Sequence, residues 1–169
     1  MDTLDRVSIW AMVLLIIAAT ALMSYHGSEA RGGREFVPKV VEPSELEVKL
    51  KEARKFLEAG NLGKAEAMAL ALKARYPYEG GPFMLMGDIH WRRQEPLEAV
   101  YEYRKAVDLN PDYLDKKTPL FQGRKLKMVV QEAEARVRVQ LRQSPQDKGL
   151  KEALKVIYYL RRRIAGGCG

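Results

Sequence analysis

Histidine and cysteine are nearly missing from this chain, which has two of the first (His26 and His90) and one of the second (Cys168) among 169 residues. A single thiol excludes an intramolecular disulfide and any multi-cysteine metal site. Cys168 also does not stand four residues from the last one, as prenylation requires. With one histidine at 26 and the other at 90, no HExxH helix or paired-histidine ligand set can form. The stretch Gly60-Asn61-Leu62-Gly63-Lys64 has the look of a phosphate loop. However, Glu58 stands where its first glycine is needed, and Ala65 where a hydroxyl would hold magnesium. Carboxylates are abundant, but none falls in a recognisable catalytic setting. The expectation is therefore no enzyme, with no catalytic residue, no cofactor and no metal.

Acidic residues are also scarce in one region. Residues 1–43 carry four basic and five acidic side chains, and 44–111 carry eleven of each. Residues 112–169 carry fourteen basic and only six acidic ones. Such asymmetry bears on partners more than on fold. It reads either as a solvated helix face or as a surface for acidic protein, anionic lipid or nucleic acid. Lys148, Lys151, Lys155, Arg161, Arg162 and Arg163 are the residues expected to form it.

Charge is absent altogether from residues 7–25, nineteen residues interrupted only by Ser8, Thr20 and Ser24. As a helix this segment spans about 28 Å, close to the roughly 30 Å of a hydrocarbon core. Trp10 and Tyr25 suit the two interfaces. A cleaved signal peptide is the alternative, with Ala19-Thr20-Ala21 as a small-x-small site. The flank 1–6, though, sets two acids, Asp2 and Asp5, against Arg6 and the amino terminus, and so lacks the positive charge of a signal peptide. The run is also longer than a usual h-region, so an uncleaved single-pass anchor is preferred. Counting Lys and Arg puts the C-terminal side in the cytoplasm. The habit of N-terminal anchors followed by a soluble domain favours the extracytoplasmic side, the orientation adopted here, in a bacterial inner membrane. Residues 26–43, with three glycines and two prolines, read as a linker.

From Ser44 onwards helices dominate. Ser44 and Glu47 form a capping-box pattern, and Leu46, Leu50, Ala53, Phe56 and Leu57 follow at helical spacing. Gly60-Asn61 breaks that helix, and a second runs over 62–75 to Tyr76-Pro77. A third covers about 82–91, Gln94-Glu95-Pro96 forms a turn, and a fourth covers 97–109. A long helix over about 123–142 turns Leu126, Val129, Val130, Ala133, Val137 and Leu141 inward. A last one, about 146–164, carries Leu150, Ala153, Leu154, Ile157, Leu160 and Ile164 on one side.

Marker residues recur at 34: Ala65, Ala99 and Ala133, and likewise Pro77, Pro111 and Pro145. Within one period, Phe83, Gly87, Ala99, Tyr103, Ala106 and Pro111 stand in the register of the tetratricopeptide repeat (TPR) signature. The chain resembles that family over about 44–145, most closely over 80–112. The first period departs at Ala53 and Ala69. The third is degenerate, with Phe121 in the small-residue position. The resemblance implies an all-α stack of TPR-like helical hairpins over 44–145. A basic capping helix and tail over 146–169 would close it, and the transmembrane helix would precede it. It also implies a concave groove lined by the first helix of each hairpin, here Leu50, Arg54, Leu57, Met84, Asp88, Trp91 and Arg92. Trp91 beside an Arg is the expected anchor. The Lys/Asn set that grips C-terminal carboxylates is not evident. Small membrane-anchored bacterial TPR proteins are similar, which implies a scaffold or adaptor for protein partners in an envelope, secretion or cytochrome-assembly complex. Self-association is compatible with so short a stack. The alternative is a basic C-terminal region that binds anionic lipid or nucleic acid, nucleic acid being the less favoured.

Overall fold

The computed structural model describes residues 10, 14–18, 20 and 44–166. The chain divides into two units, 1–41 and 42–169. In the first unit Trp10, 14–18 and Thr20 are helical. The Thr20 hydroxyl donates back to the carbonyls of Ile16 and Ile17 at 3.0 and 2.9 Å. Among the described residues no helix is long and apolar enough to cross a membrane. They therefore lend no support to an anchor over 7–25. Most of that segment, the linker 26–43 and Cys168 lie outside the described residues.

Every regular element described in the second unit is helical: α1 (Glu45–Glu58), α2 (Leu62–Arg75), α3 (Gly80–Arg92), α4 (Pro96–Leu109), a 3-10 turn (Pro111–Leu114), α5 (Gly123–Gln143) and α6 (Lys148–Gly166). Local chemistry sets the boundaries. Ser44 and Glu47 close a reciprocal capping box on α1. Asn61 caps α2 through a bond from the Lys64 N–H. Pro96 occupies the first turn of α4, where its missing N–H is not needed. Asp147 accepts from the Leu150 N–H ahead of α6.

The 34-residue period is visible in the backbone itself. Gly60 (φ 77°) and Gln94 (φ 64°) are one period apart, and both adopt the left-handed conformation that ends the first helix of a hairpin. One period further on, Met128 lies inside α5, which runs on without a break. The third hairpin is thus replaced by the 3-10 turn and one long helix.

Helices α1 and α2 form the first antiparallel hairpin, and α3 and α4 the second. Helix α5 lies on α4, and α6 covers both α4 and α5. Helix α3 faces two cores. Leu85, Met86 and Ile89 join Leu50, Ala53, Leu57, Ala65, Ala69 and Leu72 in the first. Met84 joins α4, α5, α6 and the 3-10 residues Tyr113 and Leu114 in the second. A helix covered on two sides must be apolar over most of its circumference, as α3 is. The six inward residues expected of α5 are buried except Leu141, which is half-buried. Helix α6 also buries Val156, outside the expected stripe.

Ion pairs lie along the edges: Glu45 to Arg75 closes the first hairpin, and Glu66 to Arg93 and Lys73 to Glu102 tie it to the second. Each is partly or largely exposed, so each contributes at most about 1 kcal/mol.

Candidate functional site

The α3–α4 hairpin supplies the geometry on which the inner surface depends. Gly87 has no side chain because the Tyr103 ring fills its space. A Cβ at Gly87 would lie 2.5 Å from two carbons of that ring. Ala99 and Ala106, one turn to either side of Tyr103 on α4, are fully buried and bring the helices together. Phe83 is half-buried, with the Lys73 ammonium 4.8 Å from its ring centre. Pro111 opens the 3-10 turn.

The Tyr103 hydroxyl is the one polar atom of this contact, and it donates to Asp88 at 2.7 Å. Burial, reinforced by the Asp88 carboxylate, raises its ionisation well above that of an ordinary phenol, so it stays a donor. Asp88 also pairs with Lys125 from the start of α5. The Lys125 ammonium lies 5.3 Å from the Tyr103 ring centre. Three residues from three helices thus fix where α5 begins. Tyr113 fills the space next to Gly80 and is held neutral by burial.

These contacts distribute the expected groove residues unevenly. Leu50, Leu57 and Met84 are buried in the two cores and offer little open surface. Asp88 is engaged by Tyr103 and Lys125. Arg54 and Arg92 are exposed, and Trp91 is half-buried with its inner edge on the second core. Six of the seven meet nonetheless. A cleft of about 250 Å³ is lined by Arg54, Leu57, Glu58, Asp88, Trp91, Arg92 and Lys125. A neighbouring cleft of about 270 Å³ shares Arg54, Asp88 and Lys125 and adds Met84, Tyr113, Leu120 and others from the 111–122 segment. Leu50 lines neither. The surface is therefore a charged notch around the Trp91 edge, with Arg54, Arg92 and Lys125 against Glu58 and Asp88, rather than an open apolar trough, because residues 113–125 occupy the middle of the inner face. It can take a flat or acidic side chain against Trp91, with Arg54 and Arg92 as donors.

His90 is tied to Glu95 at 2.7 Å and is half-buried. Glu66 is held below the usual carboxylate range by its hydrogen bonds to Arg93, with a smaller contribution from His90. Among the described residues no group of three His, Cys, Asp or Glu side chains is placed to hold a metal ion.

The basic residues also divide. Lys148, Lys151, Lys155, Arg161 and Arg162 are exposed, and Arg163 is half-buried over the Tyr159 ring. Arg161 pairs with Glu134, and Lys155 with Glu152. Tyr159 donates to Asp108 at 2.5 Å, and that bond raises its ionisation.

Lys125, Tyr113 and Glu58 belong to the notch and were not among the residues expected there. Glu58 had a readable signal, since it lies four residues after Arg54 on α1. Lys125 and Tyr113 had none, as their positions depend on a non-repetitive loop. No family model, curated protein or solved structure matches the chain.

Proposed function

We propose that the chain is a membrane-anchored adaptor in which a TPR-like stack of helical hairpins, closed by α6, presents the Trp91 notch to a protein partner. The observation that carries this reading is the α3–α4 hairpin. Its Gly87–Tyr103 contact is flanked by buried Ala99 and Ala106 and closed by Pro111, the packing that the resemblance to TPR hairpins leads one to expect, and stacks of such hairpins serve protein binding. On the first helix of that hairpin stands a partly exposed Trp, with Arg92 next to it and Arg54 of α1 across the cleft, the residue types that dominate binding energy at interfaces. The uncharged 7–25 segment is the anchor, the chain is a single-pass protein of a bacterial inner membrane, and the helical unit stands on the extracytoplasmic side.

The test is capture of the partner from membranes by the full chain and by its Trp91→Ala variant. The inner edge of Trp91 rests on the core, so helicity is recorded alongside. Loss of a discrete partner at unchanged helicity is expected. An identical set of captured proteins would refute the notch as the binding surface.

A further inference from the structure

The last helix carries its charge in one line. Ala153, Ile157, Leu160 and Ile164 mark its buried face. Lys148, Lys151, Lys155 and Arg162 are separated by three, four and seven residues, so they stack on the face opposite, and all four are exposed. From first to last the line is about 21 Å long. The only carboxylate in α6 is Glu152, 2.6 Å from Lys155. Lys148, Lys151 and Arg162 take part in no ion pair among the described residues. Exposed Tyr158 lies beside the line, its hydroxyl accepting from Arg138. At the C-terminal end Arg162 and Arg163 meet Lys117 around a cleft of about 610 Å³ floored by Leu114 and Tyr159, with Asp115 its one acid.

We propose that this face of α6 docks on an anionic phospholipid surface, with the Lys117–Arg162–Arg163 cleft taking one headgroup phosphate. The inference rests on the membrane-anchored reading above. A straight row of exposed cations, three of the four outside any ion pair among the described residues, suits a plane of phosphates, and an aromatic residue at its side suits the interfacial zone. Each cation near an anionic surface strengthens docking about fivefold.

The experiment uses the full chain with a donor dye on Cys168, its sole thiol, reconstituted into vesicles carrying acceptor dye on their headgroups. One set is phosphatidylcholine alone and the other includes phosphatidylglycerol. Flotation reads the anchor and energy transfer reads the docking. Salt-resistant flotation with both sets is expected, with higher transfer in the anionic vesicles that decays as salt is raised. The double variant Lys151→Gln/Arg162→Gln, both surface positions, is expected to lower the docking equilibrium about 25-fold at unchanged flotation. Equal transfer in the two sets overturns the docking face while leaving the anchor standing. So does transfer abolished by an RNA oligonucleotide at physiological salt. Flotation with anionic vesicles alone, lost in high salt, overturns the anchor and keeps the docking face. No flotation with either set overturns both.

Discussion

Replacing Gly87 with alanine separates two opposite effects at one position. In an isolated helix the change stabilises by about 1 kcal/mol, because alanine loses less backbone entropy. Here the added Cβ falls 2.5 Å from two carbons of the Tyr103 ring, which has no exposed surface. The ring has little freedom to move, since its hydroxyl is bonded to Asp88 and Lys125 lies over its face. Overpacking of this kind costs about 1–3 kcal/mol, and a displaced ring also weakens a hydrogen bond to a charged group. The net expectation is a destabilisation of about 1–3 kcal/mol. Tyr103→Val, which introduces the residue found one period later at Val137, removes the ring carbons at issue. In that background Gly87→Ala is expected to stabilise by about 1 kcal/mol, reversing its sign. Urea unfolding of the four variants in mild detergent, followed by far-ultraviolet circular dichroism, measures the cycle. If Gly87→Ala has the same effect in both backgrounds, the glycine is not there for the ring and the account of the hairpin fails.

Adjacent Gly80 and Gly81 give a second contrast. A Cβ on Gly80 meets the Ala106 carbonyl oxygen at 2.8 Å and the Tyr113 ring at 2.9 Å, whereas one on Gly81 meets only a terminal methyl of Leu50 at 2.6 Å. Gly80→Ala should lower the urea midpoint clearly and Gly81→Ala little, because a leucine terminus can rotate away and a backbone oxygen cannot. The two left-handed positions should respond with opposite signs: Gly60→Ala loses about 1 kcal/mol in denaturant unfolding, and Gln94→Gly gains up to about 1 kcal/mol. Acid should expose the Glu66–Arg93 pair. A carboxylate whose folded-state value is depressed contributes stability above its unfolded value of 4.5, and that stability is lost as pH falls through the lower folded value. The midpoint should therefore fall below about pH 4.5, and Glu66→Gln should flatten part of that slope.

The parts of the fold that repeat locally were legible in the residues. The capping box at Ser44, the break at Gly60 and the start at Pro96 each depend on neighbours within one turn. The faces of α5 and α6 follow from spacing alone, apart from Val156, which becomes buried because α6 covers two helices and so needs a wider apolar face. Gln94 fills a position that glycine usually takes, yet the turn was legible from Gln94-Glu95-Pro96, where Pro96 suits the first position of a helix. What could not be read was the filling of the inner face. Lys125 reaches Asp88 across 37 residues, and Tyr113 enters beside Gly80 from a 3-10 turn with no periodicity. Such pairings arise from the path of an irregular segment, and residue spacing carries no signal for them. As a result the expected groove contained three core leucine and methionine side chains, Leu50, Leu57 and Met84, and omitted the lysine that narrows it.

The most direct test of the adaptor account is site-specific crosslinking in native membranes. A photoreactive residue is placed at exposed Arg92 in the notch, and in a separate chain at Tyr78, which is 86% exposed and lines neither inner cleft. The account predicts a discrete protein adduct from position 92 that is absent from position 78 and disappears when Trp91→Ala is added. The same adducts from both positions, or an adduct at 92 that is indifferent to Trp91, would contradict it.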